Sequence, residues 1–165
     1  MNNYTYKVSV YIYIRYYIMK YCDYLLKILK DDCPFCDINN NYIVEKWKHF
    51  SVVMARAPYT KDHLLIIPNR HIVRLSEVTS EERWTLAPLI EKWTTKLEKI
   101  HSEVNILLRD GVAHGIIWKS IDHLHFHLIP DRPVYSSTGW WNREIYTDYK
   151  LTKETKLFKK KIKWK

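Results

Sequence analysis

The stretch His123-Leu124-His125-Phe126-His127-Leu128-Ile129-Pro130 is the feature around which the chain is organised. Three histidines alternate with large apolar residues, which is the side-chain period of a β-strand. On a strand, the imidazoles share one face, while Leu124, Phe126 and Leu128 point into a core. Because imidazole titrates at about 6.5, such a row is typical of metal binding or catalysis. The alternative is a half-buried strand with histidine on its polar face by chance, which strict alternation of three of the eight histidines disfavours.

The length and charge of the chain indicate one domain with a basic end. The 165 residues are enough for a single sizeable core, and the formal net charge is +9. Residues 148–165 hold eight lysines against one Asp and one Glu, interleaved with Leu, Phe, Ile and Trp. This tail can bind a nucleic-acid backbone or an anionic membrane surface. The interpretation we favour is a solvated, partly disordered end.

The first thirty residues form a predicted N-terminal extension. The apolar run from Val8 to Met19 is broken by Arg15 and is too short for a membrane span, which needs about 20 residues. It also lacks the small-residue cleavage site of a signal peptide. We therefore expect no transmembrane span and a cytoplasmic protein. The run is an edge strand, an interfacial anchor or a disordered leader, unless translation begins at Met19. A short helix is expected from Tyr21 to Leu29.

Cys33 and Cys36 form a Cys-Pro-Phe-Cys pair. A tight turn can aim two thiolates with this spacing at one tetrahedral ion, so the pair favours a metal site. A redox pair or two small core residues are the alternatives. The three cysteines, an odd number, do not suggest a disulfide framework.

Between the cysteines and the histidines, the pattern predicts four strands and one long helix. The strands are expected at Tyr42–Trp47, Phe50–Ala55, His63–Pro68 and Val104–Leu108. Thr79 and Glu82 have the spacing of a capping box, and apolar residues follow at helical intervals to Ile100. Pro88 leaves two possibilities, a helix that starts near Thr85 or a longer one that is kinked.

The histidine stretch, the segment APYTKDHLLIIPNRHI and the cysteine pair together resemble the histidine triad (HIT) superfamily, in its zinc-bearing hydrolase branch. The resemblance covers roughly residues 30–132, which gives a HIT domain at 31–132 between the extension at 1–30 and the aromatic, then Lys-rich, tail at 133–165. It implies an α+β fold in which the long helix packs on a central antiparallel sheet of about five strands. It also implies a homodimer.

The resemblance further implies a reaction and its residues. One histidine attacks the α-phosphate of a nucleotide, and water hydrolyses the resulting nucleotidyl-histidine. His125 is the candidate nucleophile, since a neutral imidazole is a good nucleophile when its other nitrogen is held by an acceptor. His127 and His63 would contact the phosphate or the leaving group, although His63 can instead be an ordinary polar residue at a strand end.

Zinc and phosphate residues follow from the same resemblance. Structural zinc is expected in a closed tetrahedral site with no open position for a metal-bound water, its ligands being Cys33, Cys36, His71 and His123. A metal-free substrate contact is the alternative for His71. The phosphate contacts are expected from Ser120, Lys119 and Arg109. Asp62 departs from the family, which usually has Gly before this histidine, and a carboxylate near phosphate is unfavourable unless it points away.

Three functions remain open at this point. The favoured one is a hydrolase or nucleotidyl transferase acting on a dinucleoside polyphosphate or nucleoside phosphoramidate. The second is the same chemistry on a nucleic-acid end, such as a cap remnant or a 5′-adenylate, with the tail as the docking element. The third is a weakly active, zinc-stabilised nucleotide-binding protein. Transferases of the family that move sugar nucleotides typically carry Gln at the position of His127, which favours hydrolysis here.

Overall fold

The computed structural model describes residues 33–112, 120–131 and 144–163. The predicted extension at 1–30 and most of the aromatic part of the tail lie outside these residues.

A five-stranded sheet forms the centre of the fold. The strands are β1 (Ile43–Lys46), β2 (Phe50–Met54), β3 (Leu64–Pro68), β4 (Val104–Leu108) and β5 (Phe126–Pro130), in the spatial order β1-β2-β3-β5-β4. All four neighbouring pairs are antiparallel. Short 3-10 helices precede β1 and follow β3, at Asn40–Tyr42 and Leu75–Glu77. The predicted α+β fold with five antiparallel strands is confirmed.

Helix α1 (Ser80–Glu98) is the longer of the two forms that the sequence allowed. Its first residue follows Thr79, whose hydroxyl accepts from the Glu82 N–H while the Glu82 carboxylate accepts from the Thr79 N–H. This capping box satisfies N–H groups that have no partner inside the helix, and it fixes the start eight residues before Pro88. Pro88 therefore lies within the helix.

The two faces of the sheet differ in what covers them. One face, here called the helix face, packs with α1 into the main core, to which alternate residues of β3 and β5 contribute: Leu64, Ile66, Phe126 and Leu128. The opposite face, here called the histidine face, carries a smaller apolar cluster around Leu65 and Ile67. Because side chains alternate along a strand, His63 and His127 belong to the histidine face.

The tail folds as helix α2 (Asp148–Lys163) and packs on the helix face. Leu151, Thr155 and Phe158 recur at intervals of four and three residues, and all three are buried. The Phe158 ring lies 6.1 Å from the Trp93 ring of α1. The expectation of a solvated, partly disordered end is therefore wrong for residues 148–163, because these apolar residues form one stripe that the core covers. The domain division at residue 132 stays a prediction.

Of the helices in the described part of the chain, none combines the length and apolar composition that crossing a membrane requires.

Replacing Phe158 with Ala should lower the free energy of unfolding by about 3–5 kcal/mol, because the side chain is 2% exposed and its loss leaves a cavity. Urea unfolding followed by circular dichroism measures this. Leu157→Ala is the matched control: the residue is adjacent on the same helix but 49% exposed, so its change should be within about 0.5 kcal/mol. Equal effects of the two substitutions would contradict the packing of α2.

Candidate active site and metal centre

His125 is held in one tautomer by the backbone. Its Nδ1 lies 2.7 Å from the carbonyl oxygen of His123. A carbonyl only accepts, so Nδ1 carries the proton and donates it, and Nε2 holds the lone pair. The side chain is 8% exposed. These are the properties of a nitrogen nucleophile with a fixed ring orientation.

His63 and His127 form a directed hydrogen-bond chain. The Tyr59 backbone N–H donates to His63 Nδ1 (3.1 Å), and His63 Nε2 lies 3.0 Å from His127 Nδ1. Since His63 Nδ1 is an acceptor, its Nε2 carries the proton and donates to His127 Nδ1. A neutral His127 must then carry its own proton on Nε2. The His127 ring centroid is 4.9 Å from that of His125, so an acceptor nitrogen and a donor nitrogen lie on neighbouring rings.

Two aromatic residues surround these imidazoles. Phe35, between the two cysteines, places its ring edge-to-face at 5.3 Å from the His125 ring and 5.8 Å from the His123 ring. The Tyr59 ring lies 5.3 Å from His63 and 5.9 Å from His127. The rings keep apolar surface against the histidines and strengthen the local hydrogen bonds by lowering the dielectric constant.

A cavity of about 250 Å³ adjoins Phe35. Its lining includes apolar side chains of the histidine face, such as Ile38, Val53 and Leu65, together with Arg56 and Asp37. A concave, mostly apolar space with a few polar groups is suited to a small organic ligand.

The predicted metal ligands come together. One donor atom from each of four residues lies within 4.8 Å of every other, namely Cys33, Cys36, His71 and His123. His123 Nδ1 is 3.3 Å from Cys33 Sγ and 3.7 Å from Cys36 Sγ, and His71 Nδ1 is 3.2 Å from Cys36 Sγ. Tetrahedral zinc with its usual bond lengths separates S and N ligands by roughly 3.5 Å, so the spacing fits.

Second contacts orient two of these ligands. His123 Nε2 donates to the Pro68 carbonyl oxygen (3.0 Å), which directs the Nδ1 lone pair at the cysteines. Arg70, next to His71, makes a two-point contact with Glu82 of α1 at 2.6 and 2.8 Å. Hydrogen bonds from this guanidinium hold the pKa of Glu82 at about 2. The segment after β3 is thereby fixed to the first turn of α1.

The predicted phosphate residues are less fully placed. Ser120 is half-buried, three residues before His123. Arg109 directly follows β4, whose Leu108 pairs with Phe126, so it leaves the sheet at the end where His125 lies. Lys119 lies outside the described residues.

The Asp62 carboxylate points away from the histidines, which removes the expected conflict with phosphate. It accepts from His101 and Lys161, and α2, which carries Lys161, packs on the helix face.

Sequence reasoning missed Phe35 and Tyr59 as contacts of the histidines, and His101 as the partner of Asp62. The position of Phe35 inside the cysteine turn was a usable signal. Tyr59 acts through its backbone N–H, for which residue type gives no signal, and His101 lies 39 residues from Asp62.

The histidine strand is shorter than predicted. Regular pairing starts at Phe126, because Ile66 is the last β3 residue that pairs with β5. Leu124 N–H instead donates to the Ile72 carbonyl oxygen. This displaced pairing carries His123 to the cysteines while Leu124 stays in the main core.

Comparison with known proteins agrees with this geometry. Residues 38–134 match the HIT domain family. The chain is 33% identical over 131 residues to the adenosine 5′-monophosphoramidase HNT1 of Saccharomyces cerevisiae, a match that covers 74% of this chain and 79% of that protein. It is 35% identical over 75 residues to the adenosine 5′-monophosphoramidase hnt1 of Schizosaccharomyces pombe, covering 45% of this chain but only 52% of that one.

The fold also matches solved structures. A zinc-bound histidine triad family protein from Mycobacterium smegmatis superimposes with a TM-score of 0.57 at 19% identity, covering 81% of this chain and 96% of the other. The family match extends over more than half of the chain and includes both histidine-bearing strands. The protein therefore belongs to the HIT domain family.

Proposed function

We propose that the protein is a nucleotide hydrolase that cleaves at an α-phosphate through a covalent nucleotidyl-histidine. The observation that carries the proposal is the pair of fixed tautomers: His125 Nε2 holds a lone pair, and neighbouring His127 Nε2 holds a proton. A nucleophile beside a hydrogen-bond donor is what phosphoryl transfer to nitrogen requires.

The two half-reactions use these atoms in turn. His125 Nε2 attacks the α-phosphorus, the bond from phosphorus to the leaving group breaks, and the leaving group takes a proton. His127 Nε2–H donates to the phosphate or to the leaving group, and His63 keeps its ring in place. Water then attacks the same phosphorus, the P–N bond to His125 breaks, and the nucleoside monophosphate is released.

The substrate class proposed is a nucleoside phosphoramidate or a dinucleoside polyphosphate. Two relatives are named adenosine 5′-monophosphoramidases, which supports the former. The cavity beside Phe35 would take the nucleoside, because it adjoins His125 and is largely apolar. Arg109, Lys119 and Ser120 are proposed to contact the phosphates, by charge or by a hydroxyl donor.

Zinc is proposed as a structural cofactor at Cys33, Cys36, His71 and His123. Two thiolates and two imidazoles complete a tetrahedron, so the ion would fix the cysteine turn to the sheet and supply no bound water for the reaction.

The proposed assembly is a homodimer in the cytoplasm. β4 is an edge strand of the sheet, and its Ile106 is 52% exposed. Such an edge can pair with a second copy.

A second candidate function is the same chemistry on a nucleic-acid end. The solvent side of α2 carries a row of exposed lysines, here called the lysine row: Lys153, Lys156, Lys160 and Lys163. Their spacing puts about one lysine on each helical turn of 5.4 Å, which suits a phosphate backbone better than lipid, since the apolar side of α2 is already buried. The row lies on the helix-face side of the molecule, so it would tether a nucleic acid rather than deliver its end to His125.

His125→Ala should abolish turnover of an adenosine phosphoramidate, by at least about 1,000-fold, because the attacking nitrogen is lost. Intact-protein mass spectrometry after brief mixing should find one AMP adduct on the wild type and none on the variant. His49→Ala, a histidine change outside the site, is the control and should keep both adduct and turnover. Binding of AMP by a folded wild type that forms no adduct and turns nothing over would favour the nucleotide-binding protein instead.

Cys36→Ser should reduce bound zinc from about one per chain and lower the melting temperature, because a ligand of a structural ion contributes to folding. Plasma emission spectrometry and thermal unfolding measure the two effects. Cys22→Ser, the same change at the cysteine outside the ligand set, should alter neither. A wild-type protein that is folded and metal-free after growth in zinc would contradict the assignment.

Changing Lys153, Lys156 and Lys160 together to Glu should weaken binding of a 5′-adenylated single strand by at least about tenfold and flatten its salt dependence by roughly 0.7 per lost phosphate contact. Turnover of the small phosphoramidate should be unchanged. The triple Lys→Arg variant keeps the charge and is the control. Deletion of the tail is unsuitable because α2 belongs to the core. Equal oligonucleotide affinities for all three proteins would reject the second candidate function.

A further inference from the structure

Asp62 adopts a backbone conformation that favours glycine. Its φ is +64°, in the left-handed region, and its side chain is 6% exposed. Residues other than glycine are uncommon there, although Asp tolerates it better than most. Such a conformation persists only where surrounding contacts hold it in place. The next residue in the chain is His63, the start of the hydrogen-bond chain to His127.

The contacts that hold Asp62 come from distant parts of the chain. One carboxylate oxygen accepts from His101 Nε2 (3.0 Å) and from Lys161 Nζ (2.6 Å). The other nitrogen of His101, Nδ1, donates to the Asp131 carboxylate at 2.5 Å. Because both ring nitrogens face carboxylates, the imidazolium form satisfies both hydrogen bonds. The result is a chain of alternating charge, Lys161–Asp62–His101–Asp131.

Asp131 is the counterpart of Asp62 on the other histidine strand. It directly follows β5, has a φ of +52°, and accepts from the Ser102 backbone N–H at 2.8 Å. The hydrogen bonds from His101 and Ser102 hold the pKa of Asp131 at about 2. Leu64 pairs with Leu128, so the start of β3 and the end of β5 meet at one end of the sheet. The charged chain therefore joins the two strands that carry His63 and His127.

We propose that Asp62 is a positioning residue for His63, and that α2 acts on the reaction centre through the Lys161–Asp62 contact. The proposal rests on the proposed function insofar as it concerns catalysis. Breaking the contact lets the backbone at Asp62 leave the left-handed region, which turns the chain as it enters His63. The His63 ring then moves relative to the Tyr59 N–H on one side and His127 Nδ1 on the other. His127 loses the partner that fixes its tautomer.

The geometry gives each substitution a different expected effect. Asp62→Ala removes the carboxylate and the tolerance for a positive φ. Asp62→Asn keeps an acceptor oxygen and that tolerance, so it is the conservative variant. Lys161→Met removes only the contact from α2, at a side chain that is 38% exposed and therefore unlike a core substitution. Lys159→Met, the same change two residues earlier on the helix, is the matched control.

The experiment measures kcat and KM with adenosine phosphoramidate, together with histidine ring ¹⁵N–¹H correlation spectra, below the melting temperature of every variant. We expect kcat to fall about 10- to 100-fold in Asp62→Ala and about 3- to 10-fold in Lys161→Met, with KM within twofold of wild type, because small displacements of reacting groups are costly. Asp62→Asn should recover most of the loss, and Lys159→Met should match the wild type. In the spectra, His63 should leave its single Nε2–H tautomer in Asp62→Ala and Lys161→Met only.

The two readouts separate the failure of this inference from failure of the proposed function. If the wild type turns over substrate, and Asp62→Ala and Lys161→Met match it in kcat and in the His63 resonances, the positioning role is overturned. If the wild type shows no turnover but both variants shift the His63 resonances, the proposed function fails and the positioning role stands. A fall in melting temperature with unchanged kcat and unchanged resonances shows a merely structural role and also overturns the proposal.

Discussion

The antiparallel pairing of β3 with β5 is the constraint on which the site depends. Leu64, Leu65 and Ile66 pair with Leu128, His127 and Phe126 in one register. A shift by one residue would turn every side chain of β5 to the opposite face, which would bury the histidines in the main core and expose Leu128. The register is fixed because Leu64, Ile66, Phe126 and Leu128 together form the centre of that core. The reactive face is thus specified by the apolar residues that alternate with the histidines.

The elements with a strong period were predictable from sequence. Alternation placed His123, His125 and His127 on one face, and the Thr79–Glu82 capping box gave the start of α1 to the residue. The set of four zinc-ligand candidates was also predictable, since donor type and spacing are chemical information carried in the sequence.

What escaped prediction depends on long-range or backbone contacts. The Tyr59 N–H that orients His63 belongs to the backbone, and the His101–Asp62 pair spans 39 positions. Asp62 itself was noted only as an unfavourable departure from the family. Its meaning needed the backbone angle and the two cations, neither of which follows from residue type.

The Lys-rich tail shows how tertiary packing changes the meaning of a composition. Eight lysines in the last eighteen residues suggested a solvated end. The apolar residues between them, Leu151 and Phe158 above all, are spaced for a single helical stripe and join the main core. Burial of that stripe leaves the lysines of the opposite side exposed in a row, and it brings Lys161 to the Asp62 carboxylate. One helix therefore serves both the core and the charged chain beside the reactive histidine.

The metal centre and the nucleophile are joined through one residue. His123 directs Nδ1 at the cysteine sulfurs, while its backbone carbonyl accepts from His125 Nδ1. Any group that fixes the His123 ring also fixes this carbonyl, because ring and carbonyl belong to one residue whose neighbour Leu124 is held in the core. The carbonyl in turn determines which nitrogen of His125 holds the lone pair. A structural ion with no open coordination position can thus support the chemistry without contacting a substrate, since its effect reaches His125 as a choice of tautomer.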